Sequence, residues 1–160
     1  MAHFEKQLSS QEIYQGRVFT VTKDTVQLEN GAEGTREVVH HHGGACVAAL
    51  TEGGRVYLVR QFRYAFGQRE LGEEAGLAAD HWQDLHPVWP TVGYCSEIIY
   101  TYLATGLHPV PMHLDEDEFL TPESLPLAEA VAMCLDGRIV DGKTVAALLK
   151  IRALQAEGRL

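Results

Sequence analysis

A chain of 160 residues, 46% hydrophobic and 22% charged, has the size and composition of one globular domain, or of one domain with a small appendage. Its formal net charge of −9 comes with no basic block to offset it, which argues against a nucleic-acid surface. No apolar run reaches the length of a membrane span and no signal peptide precedes the first strand, while Cys46, Cys95 and Cys134 are odd in number and lack metal-ligand spacing; a reduced, cytoplasmic protein is expected.

The stretch 12–28 alternates loosely, with Ile13, Val18, Phe19, Val21, Val26 and Leu28 set among polar residues. Asn30-Gly31 follows as a hairpin signal, because both residues tolerate positive φ, and Thr35 to His40 reads as the return strand. A hairpin of this size holds no core of its own, so it must pack on the rest of the chain or on another subunit. His40-His41-His42-Gly43-Gly44 invites a metal reading. Adjacent strand residues point to opposite faces, however, so at most two of the histidines converge, and a turn between sheets is the preferred reading.

Ala45 to Leu50 is a continuous apolar strand, Glu52-Gly53-Gly54 its turn, and Val56 to Tyr64 the strand that pairs back. Arg60 and Arg63 stand at the exit of that strand, as solvated edge residues or as a pair of phosphate clamps. The segment 82–89 is a weak strand, 90–94 a turn, and 96–104 a strong β-branched and aromatic strand. Asp115-Glu116-Asp117-Glu118 reads as a solvated loop, or as the source of a general base or metal ligand. Two C-terminal helices are predicted: one from Pro126 to Leu135, and one capped by Asp141 with Val145, Leu148, Leu149 and Leu154 available for burial.

Between the apolar hairpin and the weak strand lies Arg69-Glu70-Leu71-Gly72-Glu73-Glu74-Ala75-Gly76-Leu77. As a helix it would gather Glu70, Glu73 and Glu74 within an arc of about 100°. Like charges at that spacing and an interior glycine both disfavour a bare helix, and a divalent cation held by the carboxylates would compensate. A solvated acidic face is the alternative on spacing alone.

The stretch resembles the second half of the Nudix box, G-x5-E-x7-R-E-U-x-E-E-x-G-U, at every fixed position from Arg69 to Leu77. The first half is missing: Arg55 stands where the motif has Gly, Gln61 where it has Glu, and no capping residue precedes Arg69. The resemblance extends over roughly residues 5–150 and is closest to the ADP-ribose pyrophosphatase group. It is carried by Tyr14 to Phe19, Thr35 to Val39, Gln61 to Tyr64, Pro90 to Glu97 and Asp115 to Phe119, with Val92 where the group usually has a second proline.

That resemblance implies an α+β fold, a Nudix-like α/β/α sandwich around a mixed sheet with an N-terminal antiparallel β-hairpin region. It divides the chain into a dimer-forming β region, 1–43, and a catalytic domain, 44–160, shortened between Gln68 and Arg69. Glu70, Glu73 and Glu74 would bind Mg²⁺ (or Mn²⁺), with Arg69 orienting them. Arg36 and Arg63 would hold a diphosphate, Phe19 would stack on adenine, and Glu97 would join the substrate site. Glu116 or Glu118 would activate water. The implied activity is hydrolysis of ADP-ribose or a related nucleotide to AMP and ribose 5-phosphate by a homodimer. A nucleotide-binding module without turnover and a structural dimer remnant stay open beside it.

Overall fold

The computed structural model describes residues 3–63, 65, 68–72, 77–110 and 120–160, and of 60–63, 68–72, 120 and 121 it describes the backbone. The chain forms two compact units, Met1–Gly44 with Trp89–Ile99, and Ala45–Val88 with Tyr100–Leu160.

The first unit is built on an antiparallel sheet in the order β1-β2-β3: β1 (Lys6–Gln15), β2 (Phe19–Gln27) and β3 (Glu33–His41). Where the sequence suggested one alternating run over 12–28, there are two strands. Gly16 makes the break, its amide donating to the Phe19 carbonyl at 3.0 Å. The looseness of the alternation is what two short patterns look like when a turn joins them. The Asn30-Gly31 signal is realised: Gly31 has φ +81°, its amide donates to the Leu28 carbonyl, and the Asn30 side chain accepts from the Ala32 amide at 3.0 Å.

Asp24 is buried in this sheet and ties β1 to β2, accepting from the Ser10 hydroxyl at 2.6 Å and the Gln7 side-chain amide at 3.1 Å. The Ser10 bond is the largest influence on its pKa, which lies below the ordinary aspartate value although burial pushes it up. Beyond β3 the predicted turn docks on the strand's end: the Val39 amide donates to the Tyr94 carbonyl, and the Ser96 amide to the Val39 carbonyl. Gly43 has φ +81°, and a Cβ there would lie 2.5 Å from the Ile98 carbonyl oxygen, so no larger residue fits this junction.

The second unit carries a six-stranded sheet. Its strands are β4 (Gly44–Leu50), β5 (Arg55–Arg63), β6 (Gln68–Gly72), β7 (Leu77–Asp84), β8 (Ile99–Pro109) and β9 (Leu120–Pro126). The apolar hairpin forms as read, with Leu50 opposite Val56. Val59, Arg60 and Gln61 each have partners in both β6 and β9, so those two strands flank β5 on opposite edges. Val56 and Tyr57 pair with both β4 and β9, which puts β4 and β6 on one edge of β5 in succession. Pro122 and Pro126 lack the N–H that a central strand needs, and β9 takes the edge accordingly.

The helix expected over Arg69–Leu77 is not what forms among the described residues. Gln68–Gly72 is a strand antiparallel to β5, and Leu77 opens β7. The reason lies in the same penalties that count against the helix: repelling carboxylates, Gly72 in the interior and no capping residue. With nothing inserted between β5 and the motif, the chain after Arg63 pairs back at Gln68.

Two C-terminal helices follow, α1 (Leu127–Leu135) and α2 (Gly142–Ala156). Asp141 caps α2 as predicted, its carboxylate accepting from the Thr144 amide at 3.2 Å. The buried face of α2 is Thr144, Ala147, Leu148 and Ile151, at helical spacing; Leu149, expected inside, is 37% exposed. Leu148 and Ile151 are fully buried, with Val56, Leu58 and Val59 of β5 in the same core. Burial of side chains of that size is worth about 1.5–3 kcal/mol each. Among the described residues no helix is long and apolar enough to cross a membrane.

Candidate functional site

Phe19, Arg36 and Glu97, three of the residues assigned from sequence, lie in the first unit. Phe19 opens β2, 39% exposed, with its ring tilted against Tyr14 at a centroid distance of 5.6 Å. The two rings together leave a partly exposed aromatic surface. In the register of β2 and β3 Phe19 stands opposite His41, while Arg36 stands opposite Asp24. Positions 19 and 24 differ by an odd number, so their side chains leave opposite faces of the sheet. Five residues of strand also separate the two pairs by about 17 Å along the chain. Within one chain, then, the first unit does not bring Phe19 and Arg36 to a common ligand.

Glu97 does share a neighbourhood with Phe19. Its carboxylate lies 3.7 Å from Nδ1 of His41, the register partner of Phe19. Next to it the Ser96 hydroxyl accepts from the His41 amide at 3.0 Å. His41 Nδ1 accepts from the Gly43 amide at 3.0 Å, which leaves the proton of the neutral ring on Nε2. Sequence reasoning assigned His41 no role and read the three histidines as a turn. The register of β3, which carries His41 to the strand's last position beside the docked 90–96 segment, is what a single sequence does not display.

Arg36 is engaged. Its guanidinium forks onto the Glu5 carboxylate, Nε donating to Oε2 at 2.9 Å and Nη2 to Oε1, while Nη1 donates to the Thr35 carbonyl at 2.9 Å. The Glu5 hydrogen bond and charge raise the guanidinium pKa further above its ordinary value. Both side chains remain about two-fifths exposed, so the pair is a screened surface contact and not a buried lock.

In the second unit Arg63, Arg69 and Glu70 fall on β5 and β6. Arg63 stands opposite Gln68, Phe62 opposite Arg69, and Gln61 opposite Glu70. Glu73, Glu74, Glu116 and Glu118 lie outside the described residues. Among the described residues no group of three or more His, Cys, Asp or Glu side chains is placed to hold a metal. A separate cavity of about 300 Å³, lined by Leu85, His86, Lys150, Leu154, Glu157 and Arg159 among others, contains none of the predicted site residues.

Residues 5–39 match a family model described as the nucleoside diphosphate sugar hydrolase N-terminal domain. The chain is 31% identical to an ADP-ribose pyrophosphatase from Mycobacterium tuberculosis, over 95% of this chain and 85% of that one. It is likewise 31% identical to a methanol dehydrogenase activator from Bacillus methanolicus, over 95% of each chain. The first of these alignments spans 176 positions although this chain has 160 residues, so the relative holds inserted residues that this chain lacks. A solved structure of an ADP compounds hydrolase superposes with a TM-score of 0.81 at 22% identity, covering 98% of this chain and 97% of the other, which establishes the shared fold.

Proposed function

Because this chain belongs to the Nudix hydrolases of the ADP-ribose pyrophosphatase group, we propose that it hydrolyses the diphosphate of ADP-ribose or a related nucleoside diphosphate derivative, giving AMP and ribose 5-phosphate from ADP-ribose. The observation that carries this reading is the 31% identity to an ADP-ribose pyrophosphatase across 95% of the chain. The match of residues 5–39 to a nucleoside diphosphate sugar hydrolase domain supports the same substrate class.

The roles follow from residue chemistry. Phe19 stacks on the base, and Arg36 and Arg63 hold the diphosphate oxygens through charge-assisted bonds. Glu70, Glu73 and Glu74 would supply an all-oxygen donor set, which suits Mg²⁺ or Mn²⁺ over softer metals. Such an ion, when bound, neutralises the diphosphate oxygens and lowers the pKa of water. Arg69 orients the glutamates. Glu116 or Glu118 takes the proton from the attacking water, whose oxygen bonds to one phosphorus as the bridging P–O bond breaks. The arginines stabilise the charge that develops on the leaving phosphate.

A homodimer fits two observations. All ten residues of the edge strand β1 are exposed, Leu8, Ile13 and Tyr14 among them. Phe19 and Arg36 leave opposite faces of the sheet, so one copy's aromatic and the other copy's arginine are the natural pair to hold one ligand. Cys46, Cys95 and Cys134 form no disulfide, which supports a reducing, cytoplasmic setting.

A second reading, a module that binds the nucleotide without turnover, is favoured by one observation: the first half of the Nudix box is missing from the sequence. Turnover of a substrate panel at equal concentration separates the possibilities. ADP-ribose hydrolysed well ahead of capped RNA and nucleoside triphosphates supports the proposed activity, and the reverse order contradicts it. Binding of ADP-ribose without any turnover selects the second reading.

A further inference from the structure

The bidentate contact between Arg36 and Glu5 has the geometry by which a guanidinium binds a phosphate. Two N–H groups of one fork meet two oxygens of one anion. Arg36 is also the residue assigned above to the diphosphate, and the present inference rests on that reading. We propose that Glu5 is an intramolecular competitor for the diphosphate, occupying Arg36 in the free protein and setting the affinity that a phosphate-bearing ligand must exceed.

Three features of the first unit make the exchange feasible. First, the pair is open to solvent, with side-chain exposures of 43% for Arg36 and 41% for Glu5, so a ligand reaches the guanidinium without unfolding anything. Second, the segment that carries Glu5 is anchored independently. The Glu29 carboxylate accepts from the Phe4 amide at 3.2 Å and contacts His3 Nδ1 at 2.7 Å. Releasing Arg36 therefore leaves the start of β1 in place. Third, a cavity of about 530 Å³ adjoins Glu5, lined by His3, Phe4, Glu5, Leu28, Glu29 and Asn30, and gives the displaced carboxylate room to swing.

The substitution is also reasonable on charge. A diphosphate carries more negative charge than one carboxylate and gains more from the same fork, so it wins the exchange, while a weaker anion does not. Glu5 would thus raise the dissociation constant for the correct ligand by a small factor. It would also keep Arg36 from being captured by singly charged anions.

Calorimetric titration of the full chain with ADP-ribose, metal omitted so that no turnover intervenes, tests this with four variants beside the unsubstituted chain. Glu5→Gln keeps the shape and removes the charge, and it is expected to tighten binding about two- to fivefold, the range set by an exposed ion pair. Glu5→Asp is expected to stay near the unsubstituted affinity, because the competing charge is retained. Arg36→Ala is expected to weaken binding and to make a further Glu5→Gln change silent. Thermal melting of each variant confirms that the folded protein is being compared. If Arg36→Ala weakens binding but Glu5→Gln leaves it unchanged or weaker, Glu5 is not a competitor and the inference is overturned while the role of Arg36 survives. If Arg36→Ala has no effect on affinity, the assignment of Arg36 to the diphosphate fails and the inference falls with it.

Discussion

Glu70 stands opposite Gln61 in the antiparallel register of β5 and β6. The first glutamate of the acidic motif is therefore on a strand, and an uncharged residue faces it across the pair. Two carboxylates directly opposite each other on neighbouring strands would repel unless a cation lay between them.

Gln61→Glu turns that relationship into a prediction. Without metal, the variant should be less stable by about 0.2–1 kcal/mol, the cost of facing like charges across a strand pair. With millimolar Mg²⁺ it should gain more thermal stability than the unsubstituted chain, because one more oxygen ligand is available. Melting curves with and without Mg²⁺ read both effects, and a variant that ignores the ion shows that positions 61 and 70 do not share a site.

Glu74→Gln examines the remaining carboxylates. If Glu70, Glu73 and Glu74 bind the ion together, Mg²⁺ raises the melting temperature of the unsubstituted chain by mass action, and this change abolishes the gain. In the absence of metal the variant should be as stable or slightly more so, since repulsion is relieved. An unsubstituted chain whose melting temperature is indifferent to Mg²⁺ is not using these glutamates for metal.

Asp141 sets a separate, structural expectation. Burial pushes its carboxyl up, but hydrogen bonds from Lys143 and Thr144 and the charge of Lys143 prevail, so its folded pKa lies below the ordinary aspartate value. The stability it contributes is present above the unfolded-state pKa and is lost as the pH falls through the folded one. Asp141→Ala should cost about 0.5–2 kcal/mol at neutral pH, as for other N-caps. Asp141→Asn should keep most of the cap and lose the acid-side dependence, which denaturant titrations at neutral and acidic pH distinguish.

The exposed edge of β1 predicts association. Light scattering at micromolar concentration should find a dimer, and replacing Ile13 and Tyr14 by Ser should shift it towards monomer without unfolding the second unit. A chain that is monomeric throughout removes the shared-site argument.

Much of the fold was legible because its signals are local. Asn30-Gly31 fixes a hairpin through positive φ, Glu52-Gly53-Gly54 another, and Asp141 caps a helix through its own carboxylate. The misreadings come from places where pairing at a distance decides. The motif Arg69–Leu77 has helical spacing, but Gln68–Gly72 follows β5 and takes its free edge. Gly16 splits a run that looked like one strand, and Ile151 rather than Leu149 faces the core because the helix is oriented by its packing. The candidate site residues were assigned through family resemblance alone. Their arrangement was not legible, since the opposite facing of Phe19 and Arg36 depends on the β2–β3 register.

The most direct test of the account follows AMP and ribose 5-phosphate released from ADP-ribose by the purified full chain, with Mg²⁺ and then with the ion removed by chelation. The account predicts both products in equal amounts with Mg²⁺, their loss on chelation and their return when the ion is restored. No release from ADP-ribose or any related nucleoside diphosphate derivative, by folded protein that still binds Mg²⁺, would contradict the proposed activity.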